Sequence, residues 1–174
     1  MENYEEGSFL GLINENMGII YKICNTYCDN KTDREDLAQE IIYTLWKGRR
    51  SYDPALKYTT WMYRVALNVA ISFCRASAIY RKKLLLAGQE PEIRETISLK
   101  VDADDNLSLL QSHVAALNEF DKALVILYFE GNSYKVISEV LGITETNVAT
   151  RLSRIKERLK QKITSSKKNN NGRQ

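Results

Sequence analysis

The sequence predicts an all-α protein with two helical domains joined by a flexible linker, the second of them a helix-turn-helix domain. Apolar residues recur at helical spacing through most of the 174 residues, which indicates amphipathic helices. Only 8 glycines and 2 prolines are present, too few turn formers for an all-β sandwich or barrel. Weak periodicity and an acidic cluster mark 88–106 as the linker. The domains then span 1–87 and 107–166, and a polar tail at 167–174 is expected to be disordered.

Three helices are predicted in the first domain, over about residues 4–28, 32–48 and 58–86. Thr32 or Asp33 can cap the second helix, because either side chain can accept a hydrogen bond from a free backbone N–H.

The second predicted helix has two distinct faces. Its apolar side carries Leu37, Ala38, Ile41, Ile42, Leu45 and Trp46. Its opposite side carries Asp36, Gln39, Glu40, Tyr43 and Lys47. A complete apolar face must pack against a core. The polar face is therefore left for solvent or for a partner protein.

The third predicted helix combines aromatic and cationic residues. Nine Lys or Arg residues and one acidic residue lie between Lys47 and Lys83. Aromatic rings can stack on unpaired bases while cations hold the backbone, so this segment suits single-stranded DNA. The alternative is a solvated basic face over a core. Trp61 is expected to be largely core, and Arg64, Asn68 and Arg75 are better candidates for contacts.

Residues 133–152 have the pattern of a helix-turn-helix. Gly142 stands where the turn needs a positive φ angle, and Thr144 can cap the following helix. A second basic block, with nine Lys or Arg and one acid, runs from residue 151 to 174. The outward side of the helix offers short polar and cationic groups for a major groove: Thr146, Asn147, Thr150, Ser153 and Arg154, with Arg151 beside them. The alternative is an ordinary α-hairpin.

Other classes of protein are disfavoured. The sequence has no phosphate-cradling glycine loop, no HExxH and no nucleophile elbow, so we expect no enzyme and no cofactor. Cys24 and Cys28 have no second ligand pair at a zinc-site spacing, so we expect small core residues and no metal. No signal peptide or membrane-length apolar run is present. We therefore expect a cytoplasmic protein without membrane insertion.

Three segments resemble the extracytoplasmic-function (ECF) sigma factors, the small two-domain sigma-70-type subunits of bacterial RNA polymerase. Asp36-Leu-Ala-Gln-Glu-Ile-Ile-Tyr-Thr-Leu-Trp46 is similar to the family's polymerase-docking helix in region 2. Residues 58–68, followed by Arg75, are similar to its minus-ten segment, and the helix-turn-helix with residues 151–159 is similar to region 4. Two departures are mild: Tyr58 stands for a frequent Phe and Met62 for Leu. Two others fall among residues expected near DNA: Ser72 stands where Asp is common, and Ile155-Lys156 replaces a frequent Arg-Ala pair.

The resemblance implies a sigma factor that directs core polymerase to specific promoters and helps melt them. The implied polymerase-binding residues are Asp36, Gln39, Glu40 and Tyr43. Those implied for minus-ten DNA are Tyr58, Trp61, Arg64, Asn68 and Arg75. Those implied for the minus-thirty-five element are Thr144, Thr146, Asn147, Thr150, Arg151 and Arg154. Implied partners are the RNA polymerase core enzyme and promoter DNA, with an anti-sigma factor as a further candidate.

One alternative is a helix-turn-helix transcriptional regulator that acts as a dimer on palindromic DNA, independently of core polymerase recruitment. The sequence offers no obvious dimer helix or ligand pocket for it. A small helical enzyme is a third hypothesis, and the missing motifs count against it.

Overall fold

The computed structural model describes the backbone of residues 6–88 and 112–171 and the side chains of residues 9–88 and 112–162. These residues form helices and connecting turns, without strands. The helices are α1 (Glu6–Glu15), α2 (Met17–Tyr27), α3 (Lys31–Gly48), α4 (Tyr58–Leu86), α5 (Glu119–Phe129), α6 (Tyr134–Leu141) and α7 (Glu145–Asn171). A 3-10 turn, Arg49–Ser51, follows α3, and residues 112–115 are also helical.

The chain divides into two compact units, residues 1–98 and 99–174. The predicted fold class, all-α with two helical domains, is confirmed. Among the helices that the structure describes, none combines the length and apolar character needed to cross a membrane. The predicted linker, apart from residue 88, lies outside the described residues.

The prediction of one continuous first helix is wrong, because the helix is interrupted at Asn16 and forms two helices, α1 and α2. The Asn16 side chain donates to the Leu12 carbonyl at 2.8 Å, and its backbone N–H donates to the Ile13 carbonyl at 3.1 Å. These bonds take up carbonyls at the end of α1, and an asparagine is a residue type that competes with helix in this way. α2 then starts at Met17.

The cap of α3 also differs from the prediction. Asn30 caps the helix, not Thr32 or Asp33: its Oδ1 accepts from the Asp33 N–H at 2.8 Å. The Asn30 amide returns a hydrogen bond to the Asp33 carboxylate at 2.6 Å. The second bond joins the two side chains and holds the Asn30 side chain in its capping position.

The first unit packs α1, α2, α3 and α4 around one apolar core. Its largest fully buried side chains are Phe9, Ile13, Ile20, Ile23, Leu37, Ile41, Leu45, Met62 and Leu67. Leu37, Ile41 and Leu45 recur every fourth residue along α3, which places all three on one face of that helix. α4 has the bounds that its periodicity predicts.

The second unit is a helix-turn-helix, as predicted. Gly142 has φ 67°, the left-handed conformation that glycine adopts at least cost. Thr144 caps α7 by accepting from the Asn147 N–H at 3.2 Å. The buried side chains of the pair are Ile137 and Val140 on α6 and Val148, Leu152 and Ile155 on α7, and α5 adds Leu124 and Leu127 to the same core.

α7 continues to Asn171, so its backbone enters the segment 167–174 for which the sequence predicted disorder. No glycine or proline interrupts the chain between Gly142 and Gly172, and the helical hydrogen-bond pattern can therefore continue.

Candidate functional site

The polar face predicted for the second helix is the exposed face of α3. Asp36, Gln39, Glu40 and Tyr43 are all exposed, and Tyr43 keeps 62% of its surface. The Lys47 ammonium lies 5.9 Å from the centre of the Tyr43 ring. Two carboxylates, an amide and a phenol thus form one stripe that can accept hydrogen bonds from a cationic partner.

A groove of about 590 Å³ runs between α3 and α4. Glu40 and Thr44 line it from α3. Asn68, Ser72 and the apolar side chains Val65, Val69, Phe73 and Ala76 line it from α4. The fold therefore brings Glu40 of the expected polymerase-binding set next to Asn68 of the expected minus-ten set, two residues that sequence analysis assigned to separate sites.

Two of the residues expected at minus-ten DNA, Tyr58 and Trp61, belong to an aromatic cluster with Phe9 and Tyr52. The four rings lie 5.4–5.8 Å apart, centre to centre, in edge-on or tilted contacts. Trp61 is only 8% exposed, as its expected core position requires. Its ring face is covered, so stacking on a base would require the cluster to open.

Tyr58 lies at the rim of the same cluster. Its hydroxyl oxygen is buried without a hydrogen-bond partner among the described residues. Burial raises the pKa of Tyr58 to about 12, with a smaller contribution from Tyr52, so the phenol stays protonated. The cluster joins α1, the loop before α4 and the first turn of α4, and its ring contacts hold these segments together.

Arg64, Asn68 and Arg75 are exposed on α4. At about 100° per residue they fall within about 40° of one another around the helix. The three residues therefore form one polar and cationic stripe, which fits the contacts that sequence analysis preferred to those of Trp61.

The residues expected to read duplex DNA lie at the start of α7. Thr144, Thr146, Asn147, Thr150, Arg151 and Arg154 are all exposed. The Thr150 hydroxyl donates to the Thr146 carbonyl at 2.9 Å, which leaves its lone pairs for an outside donor. At about 100° per residue, Thr146, Thr150 and Arg154 share one side, and Arg151 is turned toward its edge.

Sequence analysis missed Asp121, which the structure places beneath α7. Asp121 is 3% exposed and lies at the start of α5. One of its carboxylate oxygens is 3.3 Å from an Arg151 nitrogen, and the other is 3.2 Å from an Arg158 nitrogen. Thirty and thirty-seven residues separate these partners along the chain, so periodicity could not pair them. In the sequence, the Asn118-x-x-Asp121 spacing indicates a helix N-cap but not the contacts with the two arginines.

Arg151, expected at the minus-thirty-five element, has partners within its own domain. Its guanidinium binds the Asp121 carboxylate and also lies 5.0 Å from the centre of the Phe120 ring. Lys156 is similarly engaged within the domain: its ammonium donates to the Tyr128 hydroxyl at 2.8 Å and lies 4.0 Å from that ring's centre. That hydrogen bond raises the pKa of Lys156.

The cysteines lie in the first unit as free thiols. Burial raises the pKa of Cys24 to about 11 and that of Cys28 to about 12, so both stay protonated near neutral pH. Among the described residues there is no group of three or more His, Cys, Asp or Glu that could hold a metal ion.

Comparison with known proteins identifies both halves of the chain. Residues 12–78 match the family model for sigma-70 region 2, and residues 108–159 match that for sigma-70 region 4. Over 169 residues the chain is 27% identical to the ECF RNA polymerase sigma factor SigW of Bacillus subtilis, covering 91% of this chain and 90% of that protein.

Two solved structures have a similar fold. One is the sigma factor RpoE in complex with the anti-sigma factor NepR from Bartonella quintana: TM-score 0.65, 16% identity, covering 90% of this chain and 96% of that one. The other is CnrH in complex with the cytosolic domain of CnrY: TM-score 0.67, 18% identity, covering 92% of this chain and 90% of that one.

Proposed function

The chain belongs to the sigma-70 family, in its ECF group of RNA polymerase sigma factors, and on that premise we propose how its two domains divide the work of initiation. The protein directs core polymerase to specific promoters and helps melt them. The first domain binds core polymerase and the opened minus-ten element, and the second binds the duplex minus-thirty-five element.

The exposed stripe of α3 is the proposed polymerase-binding surface. Asp36, Gln39, Glu40 and Tyr43 share it, opposite the buried Leu37 stripe. Because the apolar face of α3 packs on the core of its own domain, the polar face stays accessible to a partner protein. The charge of the stripe favours a basic surface on the polymerase.

The exposed stripe of α4 is the proposed minus-ten surface. Arg64 and Arg75 can hold phosphates, and the Asn68 amide can pair with the edge of an unstacked base. Tyr58 and Trp61 act beneath this surface by fixing the start of α4, as their ring contacts with Phe9 suggest.

The start of α7 is the proposed minus-thirty-five surface. Its capped N-terminus points backbone N–H groups toward a phosphate. Thr146, Asn147 and Thr150 then lie near the groove floor, and Arg154 is long enough to reach a base edge. Lys156, bound to Tyr128, contributes to the electrostatic field alone.

The partners follow from the family. Core RNA polymerase and promoter DNA are required for the activity. The likeness to the sigma factor RpoE in its complex with the anti-sigma factor NepR supports an anti-sigma factor as a further partner. The protein works where the polymerase is, in the cytoplasm, and it has no catalytic step of its own.

The single observation that carries this function is the match of both domains, in order, to sigma-70 regions 2 and 4. The test adds the purified chain to core polymerase on a promoter library and sequences the transcripts. The proposal predicts initiation at a small set of promoters only when both proteins are present. Selective DNA binding by the chain alone, as a dimer and without new transcripts, would support the independent regulator instead.

A further inference from the structure

The Asp121 carboxylate binds two arginines of the DNA-reading helix at once. Its side chain is 4% exposed, whereas those of Arg151 and Arg158 are 44% and 56% exposed. The Asn118 amide donates a third hydrogen bond to it at 2.9 Å. The Arg158 Nε also donates to the Arg154 carbonyl at 3.4 Å, which ties this clamp to the turn that carries Arg154.

The spacing of the two arginines gives the clamp a geometric effect. Residues seven apart on a helix lie within about 20° of the same side and about 10 Å apart along the axis. One buried carboxylate held between two such side chains therefore fixes both the rotation and the height of α7 against α5. The outward side, with Thr150 and Arg154, is set by that rotation.

The clamp also affects the charge that the domain offers to DNA. A free arginine near a phosphate releases counterions and strengthens binding to any sequence. Arginines held by a carboxylate of their own domain add less to such binding, because the carboxylate offsets one of the two guanidinium charges and competes with phosphates for both groups. Holding Arg151 and Arg158 in this way raises the ratio of specific to non-specific binding.

We propose that Asp121 is a positioning residue for promoter recognition: it holds Arg151 and Arg158 away from DNA phosphates and fixes the rotation of α7 that presents Arg154 to base edges. The selectivity of the second domain thus depends on a buried residue that touches no DNA. This inference rests on the minus-thirty-five role proposed above.

The test compares Asp121→Asn with Glu157→Gln in the full chain bound to core polymerase. Glu157 is exposed on α7 and accepts from Gln161 at 3.1 Å, so the control removes one negative charge without releasing the arginines. The probes are a promoter fragment selected by the wild-type holoenzyme and the same fragment with a scrambled minus-thirty-five element. Binding of each probe is titrated at several salt concentrations.

For the scrambled probe, the slope of log Kd against the logarithm of the salt concentration is expected to become steeper by about 1–2 in Asp121→Asn. This is roughly one for each released arginine. The preference for the selected probe is expected to fall about tenfold, which is about 1.4 kcal/mol. Glu157→Gln should leave both quantities close to wild type. A slope and a preference equal to those of Glu157→Gln would overturn the inference.

Two further variants keep the inference testable where Asp121→Asn unfolds the domain. Arg151→Gln and Arg158→Gln should each leave the salt slope within about 0.3 of wild type, because neither arginine contacts a phosphate; a slope lower by about one would overturn the proposal. A wild-type holoenzyme that does not discriminate between the probes would refute the minus-thirty-five role itself. If Asp121→Asn still discriminates between the two probes as the wild type does, only the proposed role of the clamp is refuted.

Discussion

α3 in the first domain and α5 in the second begin with the same Asn-x-x-Asp box. Asn30 and Asp33 exchange hydrogen bonds of 2.8 and 2.6 Å, and Asn118 and Asp121 exchange bonds of 2.8 and 2.9 Å. Asp33 is partly exposed, while Asp121 is buried and also binds two arginines. The same local motif only caps a helix in the first domain, whereas in the second it also clamps α7, because the tertiary surroundings differ.

In the first domain an apolar core holds α3 and α4, and the proposed contact residues lie on faces opposite that core. Stability and recognition are then separable. In the second domain the clamp joins the core to α7, the proposed DNA-reading helix, so a change in one is expected to alter the other.

The largest difference in stability is expected between the two variants that each remove one box carboxylate. Asp121→Ala is expected to lower the free energy of unfolding by about 2–3 kcal/mol, since it leaves two guanidinium groups without their carboxylate. The loss stays below that of a fully buried pair because both arginines can rehydrate. Asp33→Ala removes only part of a cap and should cost about 0.5–1 kcal/mol.

Urea unfolding can assign these losses to a domain. Trp46 and Trp61, the only 2 tryptophans, both lie in the first domain, so tryptophan fluorescence follows that domain alone while circular dichroism follows both. Asp121→Ala should shift the dichroism transition and leave the fluorescence midpoint unchanged. Equal losses for the two variants would show that the boxes do not differ.

The two box asparagines should show a smaller difference of the same sign. Asn118→Ala is expected to cost about 1–2 kcal/mol and Asn30→Ala about 0.5–1 kcal/mol, within the range for lost N-caps. The larger cost at Asn118 arises because its amide also satisfies a buried carboxylate. Both are measured in the same urea series, and a larger loss for Asn30→Ala would contradict this ranking.

The smallest effect on stability is expected on the α3 stripe. Gln39→Ala with Glu40→Ala should change the free energy of unfolding by no more than about 0.5 kcal/mol, because both side chains are exposed. The same pair should weaken binding to core polymerase about tenfold, measured by competition with labelled wild-type protein. Asn14→Ala with Glu15→Ala, an exposed pair on α1, is the matched control and should bind normally.

How far the sequence predicts this molecule depends on the range of each interaction. The bounds of α4, the left-handed Gly142 and the Thr144 cap follow from local pattern, because helical periodicity and backbone sterics act within a few residues. The break at Asn16 and the cap at Asn30 depend on which of several polar side chains takes a backbone group, and that competition is nearly balanced.

The candidate site shows the same division. Exposure of Asp36, Gln39 and Glu40 follows from the apolar stripe opposite them. The pairing of Asp121 with Arg151, and the meeting of Glu40 with Asn68 across one groove, depend on how separate helices pack. A single sequence carries no signal for such contacts, so it predicts Arg151 as a candidate for DNA contact and cannot predict its pairing with Asp121.

The central claim, that the first domain opens DNA while the second reads it, is tested most directly by transcription on two templates. One is a duplex promoter and the other is the same promoter mismatched at the minus-ten element, each transcribed with wild-type, Asn68→Ala, Arg154→Ala or Lys156→Ala protein. We predict that Asn68→Ala lowers the transcript yield about tenfold on the duplex and recovers on the mismatched template. Arg154→Ala should lower the yield by a similar factor on both templates, as expected for a base contact of about 1–3 kcal/mol. Lys156→Ala should stay near the wild-type yield on both. Equal loss by Asn68→Ala on both templates, or recovery of Arg154→Ala on the mismatched one, would contradict the central claim.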